Sequence, residues 1–293
     1  MPSHVESLEP PTRPVAACLI RRSPPLHRNS AGIRNRSLLL LCILLSAILW
    51  SAAAQVLRVR REPFALREST QLLVVTTPEW NAPFGVLQRY ERSAPSGPWI
   101  VVGHPIGVVV GKNGLAWDAG SEAVDPKDAR NVNDPVKKEG DLRSPAGIFH
   151  LGTAFGYASE KPDSWRMPYL HLTPSTECVD DPQSKFYNQV LDRAAVSPDW
   201  KSSEHMLRSD DLYRWGLVVQ QNVHPAQPGN GSCIFLHTWP GPGQATVGCT
   251  ATAEEQIESV LGWLDPAQNP LLVQLPLSRY IALQKIWGLP STQ

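Results

Sequence analysis

A histidine and a cysteine twelve positions apart, His237 and Cys249, are the residues of this chain best suited to covalent chemistry. A thiol attacks a carbonyl carbon once a base has taken its proton, and imidazole is the side chain that most often serves as that base. Cys249 follows Thr246-Val-Gly248, where a glycine leaves room for a substrate and consecutive backbone amides can hold an oxyanion. The pattern predicts acyl transfer with Cys249 as nucleophile, His237 as base, and an oxyanion turn at Thr246 and Gly248.

The elements around these residues should bring them to one rim. The apolar run Ile234–Leu236 is typical of a buried strand with His237 at its exit, and a Pro-Gly-Pro-Gly turn then reverses the chain toward Cys249. Thr252 and Glu255 have the spacing of a capping box, which predicts a helix directly after Cys249. The positive end of that helix and a neighbouring imidazolium would both favour the thiolate.

Other interpretations of these residues are weaker. Buried structural cysteines are common in protein cores, and a zinc site built from Cys233, His237 and Cys249 lacks the C-x-x-C pair or second nearby histidine that such sites use. Papain-like proteases place the cysteine before the histidine, the reverse of the order here. We therefore expect no metal and no cofactor.

The neutral net charge of the chain is the sum of two unlike parts. The 293 residues carry 27 Lys+Arg and 27 Asp+Glu, but residues 1–54 hold six arginines against two glutamates, a net charge of +4, which leaves −4 for the body. This balance argues against a nucleic-acid binder, and 18% charged residues argue against a disordered polyelectrolyte. Residues 55–293 are predicted to form a single globular domain.

Residues 1–54 have the features of an export leader. A basic stretch precedes an apolar run of 13 residues, Leu38–Trp50, and Ala52 and Ala54 follow in an A-x-A pattern typical of a secretory signal peptide. The alternative is an uncleaved membrane anchor through residues 38–54, near the lower limit of about 17 residues for a span. Both versions predict a periplasmic or otherwise extracytoplasmic body.

The body has the pattern of a mainly β, β-rich α+β domain, a sandwich or barrel with peripheral helices. Short apolar or alternating runs predict strands at 71–76, 84–90, 99–102, 106–110, 146–151, 216–220 and 271–275. Asn113-Gly114 predicts a hairpin. Residues 121–141 should form a surface loop, and the irregular segment 155–211 is long enough to cover a site.

Two helices are expected near the end of the body. The first presents an apolar face at helical spacing and stops before Pro266; that face consists of Ile257, Val260, Leu261 and Leu264. The second spans Leu277–Trp287.

The segment Gly231-Ser-Cys-Ile-Phe-Leu-His237, followed by Thr246-Val-Gly-Cys249, resembles the active-site signature of L,D-transpeptidases with a YkuD-type catalytic domain. Ser144-Pro-Ala-Gly-Ile-Phe149 is similar to the T-P-x-G-x-F motif of that family, and the resemblance spans residues 143–276, with 71–117 as further N-terminal strands. It implies a YkuD-like fold, no cofactor, and a role in cell wall biogenesis and cell shape. Peptidoglycan stem peptides would be the partner.

The resemblance also implies a reaction. Cys249 would cleave the stem-peptide bond before the terminal D-alanine, His237 would handle the proton, and the amides of Gly248 and Cys249 would hold the oxyanion. An amine acceptor gives a 3→3 crosslink. Water gives trimming, so an L,D-carboxypeptidase or endopeptidase on the same fold is the alternative. A third alternative is an exported peptidoglycan-binding module without activity, in which a disulfide blocks Cys249.

The chain departs from the family pattern beside the cysteine. Many members continue with a hydrophobic residue and an arginine, where this chain has Thr250 and Ala251, and Val247 stands where a second histidine is common. An arginine contact to the substrate carboxylate therefore cannot be assumed. The choice between transfer and hydrolysis stays open.

Three cysteines remain in the exported body, and an odd number in an oxidising compartment leaves one thiol free. Cys178 and Cys233 either form a disulfide, with Cys249 reduced, or are two buried thiols.

Further residues are weaker candidates. Asp180-Asp181 either binds an amine or a cation or is a solvated loop before Pro182. Four residues flank a strand leading to the site and either line the cleft or have core or surface roles: Tyr213, Arg214, Trp215 and Asn222. The histidines without motif context are expected to be structural or exposed: His104, His150, His171, His205 and His224.

Overall fold

The computed structural model describes residues 64–119, 130–223 and 225–291. The predicted leader, residues 1–54 with its signal peptide or anchor at 38–54, lies outside the described residues and stays a prediction. Within the described part of the chain, no helix is long and apolar enough to cross a membrane.

Among the described residues, strand outweighs helix, as expected for a mainly β domain. Three α-helices are α1 (Phe64–Glu68), α2 (Glu254–Trp263) and α3 (Leu277–Trp287). The strands are β1 (Gln71–Thr77), β2 (Phe84–Glu91), β3 (Ile100–Val109), β4 (Leu115–Trp117), β5 (Ser144–Gly156), β6 (Tyr169–His171), β7 (Thr176–Cys178), β8 (Val190–Asp192), β9 (Glu204–His205), β10 (Trp215–Val219), β11 (Phe235–Thr238), β12 (Thr250–Thr252) and β13 (Leu271–Pro276).

Eight of these strands close into a ring. The order is β10-β11-β12-β3-β2-β1-β13-β5, and β5 pairs again with β10. Most neighbours are antiparallel, but β1 runs parallel to β13 and β11 runs parallel to β12. Strands β4 and β6 extend the sheet beside β5. Of the predicted alternatives, sandwich or barrel, the structure has the barrel, which leaves fewer unpaired strand edges.

Apolar periodicity correctly predicted the elements that form the core. β1 and β13 are buried along nearly their whole length, as expected for strands covered on both faces. The predicted apolar face of α2 is buried, and α3 has the predicted bounds and buries Tyr280, Leu283 and Trp287.

The capping box predicted at the start of α2 is wrong. Thr252 belongs to β12, and its Oγ1 donates a hydrogen bond to the carbonyl of Gly107 at 2.7 Å. Ala253 is the N-cap residue and supplies no side-chain hydrogen bond. Pairing of β12 within the barrel therefore takes the hydroxyl that the local pattern assigned to the helix.

Two predicted turns also differ from the structure. The strands predicted at 99–102 and 106–110 are one strand, β3. Gly103 adopts a φ of 67° and the register against β2 shifts there, as in a β-bulge, so the strand continues where a turn was predicted. Asn113-Gly114 does form a turn, with the Gly114 N–H donating to Gly111 at 2.7 Å. The strand after it, β4, pairs in parallel with β5, so no hairpin forms.

The segment 155–211 contains a small second sheet, ordered β8-β7-β9. A disulfide joins Cys178 of β7 to Cys233, just before β11, and so ties this sheet to the barrel. Of the predicted loop 121–141, the described part, 130–141, contains no strand beyond an isolated bridge from Val136 to Trp117.

Candidate active site

The backbone of Cys249 is held by two hydroxyl groups. Ser144 Oγ and Thr246 Oγ1 donate hydrogen bonds to the Cys249 carbonyl at 2.7 and 2.6 Å. Ser144 Oγ in turn accepts a hydrogen bond from the Gly111 N–H at 2.8 Å. The start of β5 and the turn before β12 are thus joined at the cysteine, a role for Ser144 that the sequence motif did not reveal.

The thiol of Cys249 is free and buried, with 5% of the residue exposed. The Phe235 N–H donates to Sγ at 3.3 Å, and the S–H donates to the Cys233 carbonyl at 3.5 Å. Burial, reinforced by the nearby Glu204 carboxylate, raises the pKa of the Cys249 thiol to about 12. The thiol is therefore protonated at rest.

The expected thiolate-favouring helix is not next to Cys249. Strand β12 separates the cysteine from α2, which begins at Glu254. Because the effect of a helix dipole is confined to about its first turn, α2 gives the thiolate little support.

His237 is the third residue of β11, inside the strand rather than at its exit, and is 6% exposed. Its Nδ1 lies 2.7 Å from the carbonyl of Thr238. A carbonyl oxygen only accepts hydrogen bonds, so Nδ1 carries the proton and Nε2 is the basic nitrogen of the neutral ring. Burial lowers the pKa of His237 to about 4. The expected imidazolium–thiolate pair is therefore not the resting state.

Cys249 and His237 line one cleft of about 480 Å³, together with Thr246 and Gly248. The four residues predicted to form the site thus open on the same space. No hydrogen bond joins the thiol to the imidazole within the described site. Direct transfer of the proton from Sγ to the ring therefore requires one of the two side chains to change its orientation.

Gly248 does not offer a free amide in this state. Its N–H donates to Thr246 Oγ1 at 3.2 Å. A Cβ added at Gly248 would lie 3.5 Å from Ile234 Cδ1 and 3.6 Å from the Arg143 carbonyl, which are ordinary contacts. The protein itself therefore tolerates a side chain here, and any requirement for glycine comes from a ligand in the cleft.

Two cations line the cleft, and each is paired with a carboxylate of its own. Lys137 Nζ lies 2.5 Å from Asp141 Oδ1. Arg208 makes a two-pronged contact with Asp210, in which Nε lies 2.8 Å from Oδ1. Both cations are therefore largely neutralised.

Three carboxylates line the cleft as well, and hydroxyl groups donate to each of them. Glu139 accepts from Ser232 and Tyr187, Glu204 from Tyr213, and Asp180 from Ser202. Arg208 also approaches Glu204, at 3.5 Å. Burial raises the pKa of the Glu204 carboxyl.

Sequence reasoning missed most of these charged residues. Glu204 and Arg208 lie in the irregular segment 155–211, and the length of that segment was the only signal that it covers a site. Lys137 and Glu139 fall in the part of the chain predicted to be a surface loop.

The weaker candidates divide between cleft and scaffold. Tyr213 and Asp180 line the cleft, whereas Arg214, Trp215 and Asn222 are not among the residues that line it. Asp181 instead accepts backbone N–H groups from Gln183 and Lys201 at 2.9 and 2.8 Å. Of the five histidines without motif context, His224 lies outside the described residues and the others do not line the cleft.

The disulfide decides between the alternatives for the cysteines. Cys178 and Cys233 are joined, so Cys249 is the free thiol of the described residues. Cys233 is unavailable as a metal ligand, and the described residues contain no group of three metal-binding side chains.

Comparison with known protein families matches residues 99–273 to the YkuD family, described as the L,D-transpeptidase catalytic domain. This range begins just before β3 and ends in β13, so it includes both His237 and Cys249. Comparisons with curated proteins and with solved structures found no significant match.

Proposed function

Because the chain belongs to the YkuD family of L,D-transpeptidase catalytic domains, we propose that it is a peptidoglycan L,D-transpeptidase with Cys249 as its nucleophile. The observation that carries the proposal is a free thiol that shares one cleft with an imidazole in a defined tautomer. The other two cysteines of the body are joined to each other and cannot block it. The free Cys249 supports an enzyme over the alternative of an inactive module, in which a disulfide would block this thiol.

The first half of the reaction cleaves the donor peptide. The Cys249 side chain turns from the Cys233 carbonyl, its proton passes to Nε2 of His237, and sulfur attacks the carbonyl before the terminal D-alanine. The tetrahedral intermediate collapses to a thioester as the C–N bond breaks. D-Alanine leaves with the proton that His237 returns to its amine.

The second half consumes the thioester. An amine of a neighbouring stem peptide attacks the thioester carbonyl and gives a proton to His237, and sulfur leaves and takes that proton back. The carbonyl groups of Thr238 and Leu212 favour the protonated ring and so support this shuttle, although burial outweighs them at rest. Because Cys249 and His237 are both neutral at rest, the nucleophilic thiolate would form only when substrate is bound.

The oxyanion would be held by the amides of Cys249 and Gly248. The Gly248 N–H first has to leave Thr246 Oγ1, a hydrogen bond of 3.2 Å. A long bond of this kind is weak, so its exchange for a charged oxygen is favourable.

Hydrolysis by the same residues is the second candidate. Ala251 lines the cleft at the position where many relatives have arginine, so a methyl group replaces a carboxylate-binding side chain. A donor held less firmly would leave more room for water as the acceptor. We also propose that the leader, residues 1–54, exports the body to the periplasm or cell surface.

The test is to incubate the full chain with disaccharide-tetrapeptides and to identify the products by mass spectrometry. Crosslinked dimers with loss of D-alanine establish transfer, whereas trimmed monomers establish the hydrolase. Cys249→Ala should abolish either product. Product formation that survives this substitution would overturn the assignment of the nucleophile.

A further inference from the structure

Tyr213 packs directly against the imidazole of His237. The ring centroids are 5.1 Å apart at an interplanar angle of 79°, an edge-to-face contact. Tyr213 also lies edge-on to Phe235, at 5.5 Å, and to Phe155, at 5.6 Å. It is only 3% exposed, so its ring has little room to move. The contact with Phe235 matters because the backbone N–H of that residue donates to Cys249 Sγ.

The hydroxyl of Tyr213 ties this ring to a second element. It donates a hydrogen bond to Glu204 Oε1. Glu204 lies in β9, opposite Cys178 of β7, so the disulfide anchors the strand that carries the acceptor. Arg208 lies over the Tyr213 ring at 5.2 Å and close to Glu204, and Asp210 fixes its guanidinium.

The imidazole needs such a support. The hydrogen bond from Nδ1 to the Thr238 carbonyl selects the tautomer, and the carbonyl of Leu212, the residue before Tyr213, is a second backbone partner of the ring. The T-shaped contact with Tyr213 limits how far the imidazole can tilt, and therefore the direction in which the Nε2 lone pair points. Because the resting thiol donates to the Cys233 carbonyl, Nε2 has to be aimed before the thiol turns.

We infer that Glu204 is a positioning residue, which acts through Tyr213 to hold the imidazole of His237 in the orientation that receives the proton of Cys249. The inference rests on the proposed function for its role in turnover. The orientation of the ring is a property of the folded protein and can be measured without substrate.

The chain offers a matched control for the key variant. Tyr187 donates its hydroxyl to Glu139 in the same way that Tyr213 donates to Glu204. Tyr187 is equally buried but does not line the cleft. Tyr187→Phe and Tyr213→Phe therefore remove the same chemical group from two similar environments, and only Tyr213 touches His237.

The experiment measures kcat and KM of the full chain for consumption of disaccharide-tetrapeptide. Tyr213→Phe should lower kcat about tenfold or more with KM changed less than about twofold, because misaimed catalytic groups cost turnover rather than binding. Tyr187→Phe should stay within about twofold of the parent protein. Glu204→Leu should also lower kcat, in the same direction as Tyr213→Phe. Glu204→Gln, whose side-chain oxygen still accepts from the hydroxyl, should retain at least about fivefold more kcat than Glu204→Leu.

A second measurement does not depend on activity. Long-range ¹H–¹⁵N spectra should show His237 as the Nδ1–H tautomer in the parent protein and in both variants, because the Thr238 carbonyl selects it. The ring signals of His237 should shift or broaden in Tyr213→Phe, where the ring orientation is released, and stay unchanged in Tyr187→Phe. If the parent protein consumes no tetrapeptide, the proposed function fails, and the spectra still decide the positioning role. Unchanged His237 signals in Tyr213→Phe, or equal kcat losses in Tyr213→Phe and Tyr187→Phe, would overturn the inference.

Discussion

Alkylation of Cys249 should show a thiol that is nearly all protonated at neutral pH. With a pKa of about 12, the thiolate fraction at pH 8 is about 10⁻⁴, against about one quarter for an ordinary cysteine of pKa about 8.5. The ratio is about 2,000-fold. A more basic thiolate is intrinsically more nucleophilic, and a Brønsted slope of about 0.45 over that pKa difference offsets about 40-fold. Cys249 should therefore react with iodoacetamide roughly 50-fold more slowly than an unhindered cysteine.

The dependence on pH separates this protonation effect from simple shielding. Since each pH unit below the pKa changes the thiolate fraction tenfold, the alkylation rate should rise about tenfold per unit from pH 6 to pH 10. Intact-protein mass spectrometry measures the rate on the full chain. Cys249→Ala corrects for Cys18 and Cys42 of the leader. A rate plateau between about pH 5 and pH 8 would indicate a preformed thiolate–imidazolium pair and would refute the reasoning from burial.

Two further predictions concern stability. Joint substitution of Cys178→Ala and Cys233→Ala should lower the free energy of unfolding by about 4 kcal/mol, because the disulfide joins residues separated by 55 positions. Urea denaturation followed by circular dichroism measures this free energy. A loss below about 1 kcal/mol would contradict the prediction. The imidazole of His237 has a pKa of about 4 in the folded protein and about 6.5 in the unfolded chain. Between these two pH values, only the unfolded chain binds a proton at His237. The stability of the fold therefore falls as the pH drops from 6.5 to 4. Over that range, the free energy of unfolding of the parent protein should fall by about 3 kcal/mol more than that of His237→Gln. If the difference in unfolding free energy between the two proteins does not change with pH, the assignment of a neutral buried ring is wrong.

Local patterns predicted the secondary structure well wherever one face of an element is buried. The bounds of α3 and the buried strands β1 and β13 follow from apolar spacing within each segment. The errors at Thr252 and at Asn113-Gly114 have a common cause. At Thr252 the hydroxyl donates to Gly107 of β3, and after Asn113-Gly114 the strand β4 pairs with β5. In both places a strand distant in sequence replaces the partner that the local pattern predicted.

The sequence alone was sufficient to identify the family, and it predicted a thiol and an imidazole at one site. It did so because a strand, a turn and a short motif lie within twenty consecutive residues. The count of cysteines predicted that one thiol would be left over, without deciding which pair would form.

Only the tertiary structure decided the state of that site. Cys249 is held by Ser144 from 105 positions away, and the disulfide that leaves it free joins residues 55 positions apart. The protonation of Cys249 likewise depends on burial in a cluster that includes Phe155 of β5, Cys178 of β7 and Phe235 of β11. Desolvation and charge act through space, so they reverse the thiolate that the local pattern predicted, and they bring Glu204 and Tyr213 to a histidine that no sequence spacing connects to them.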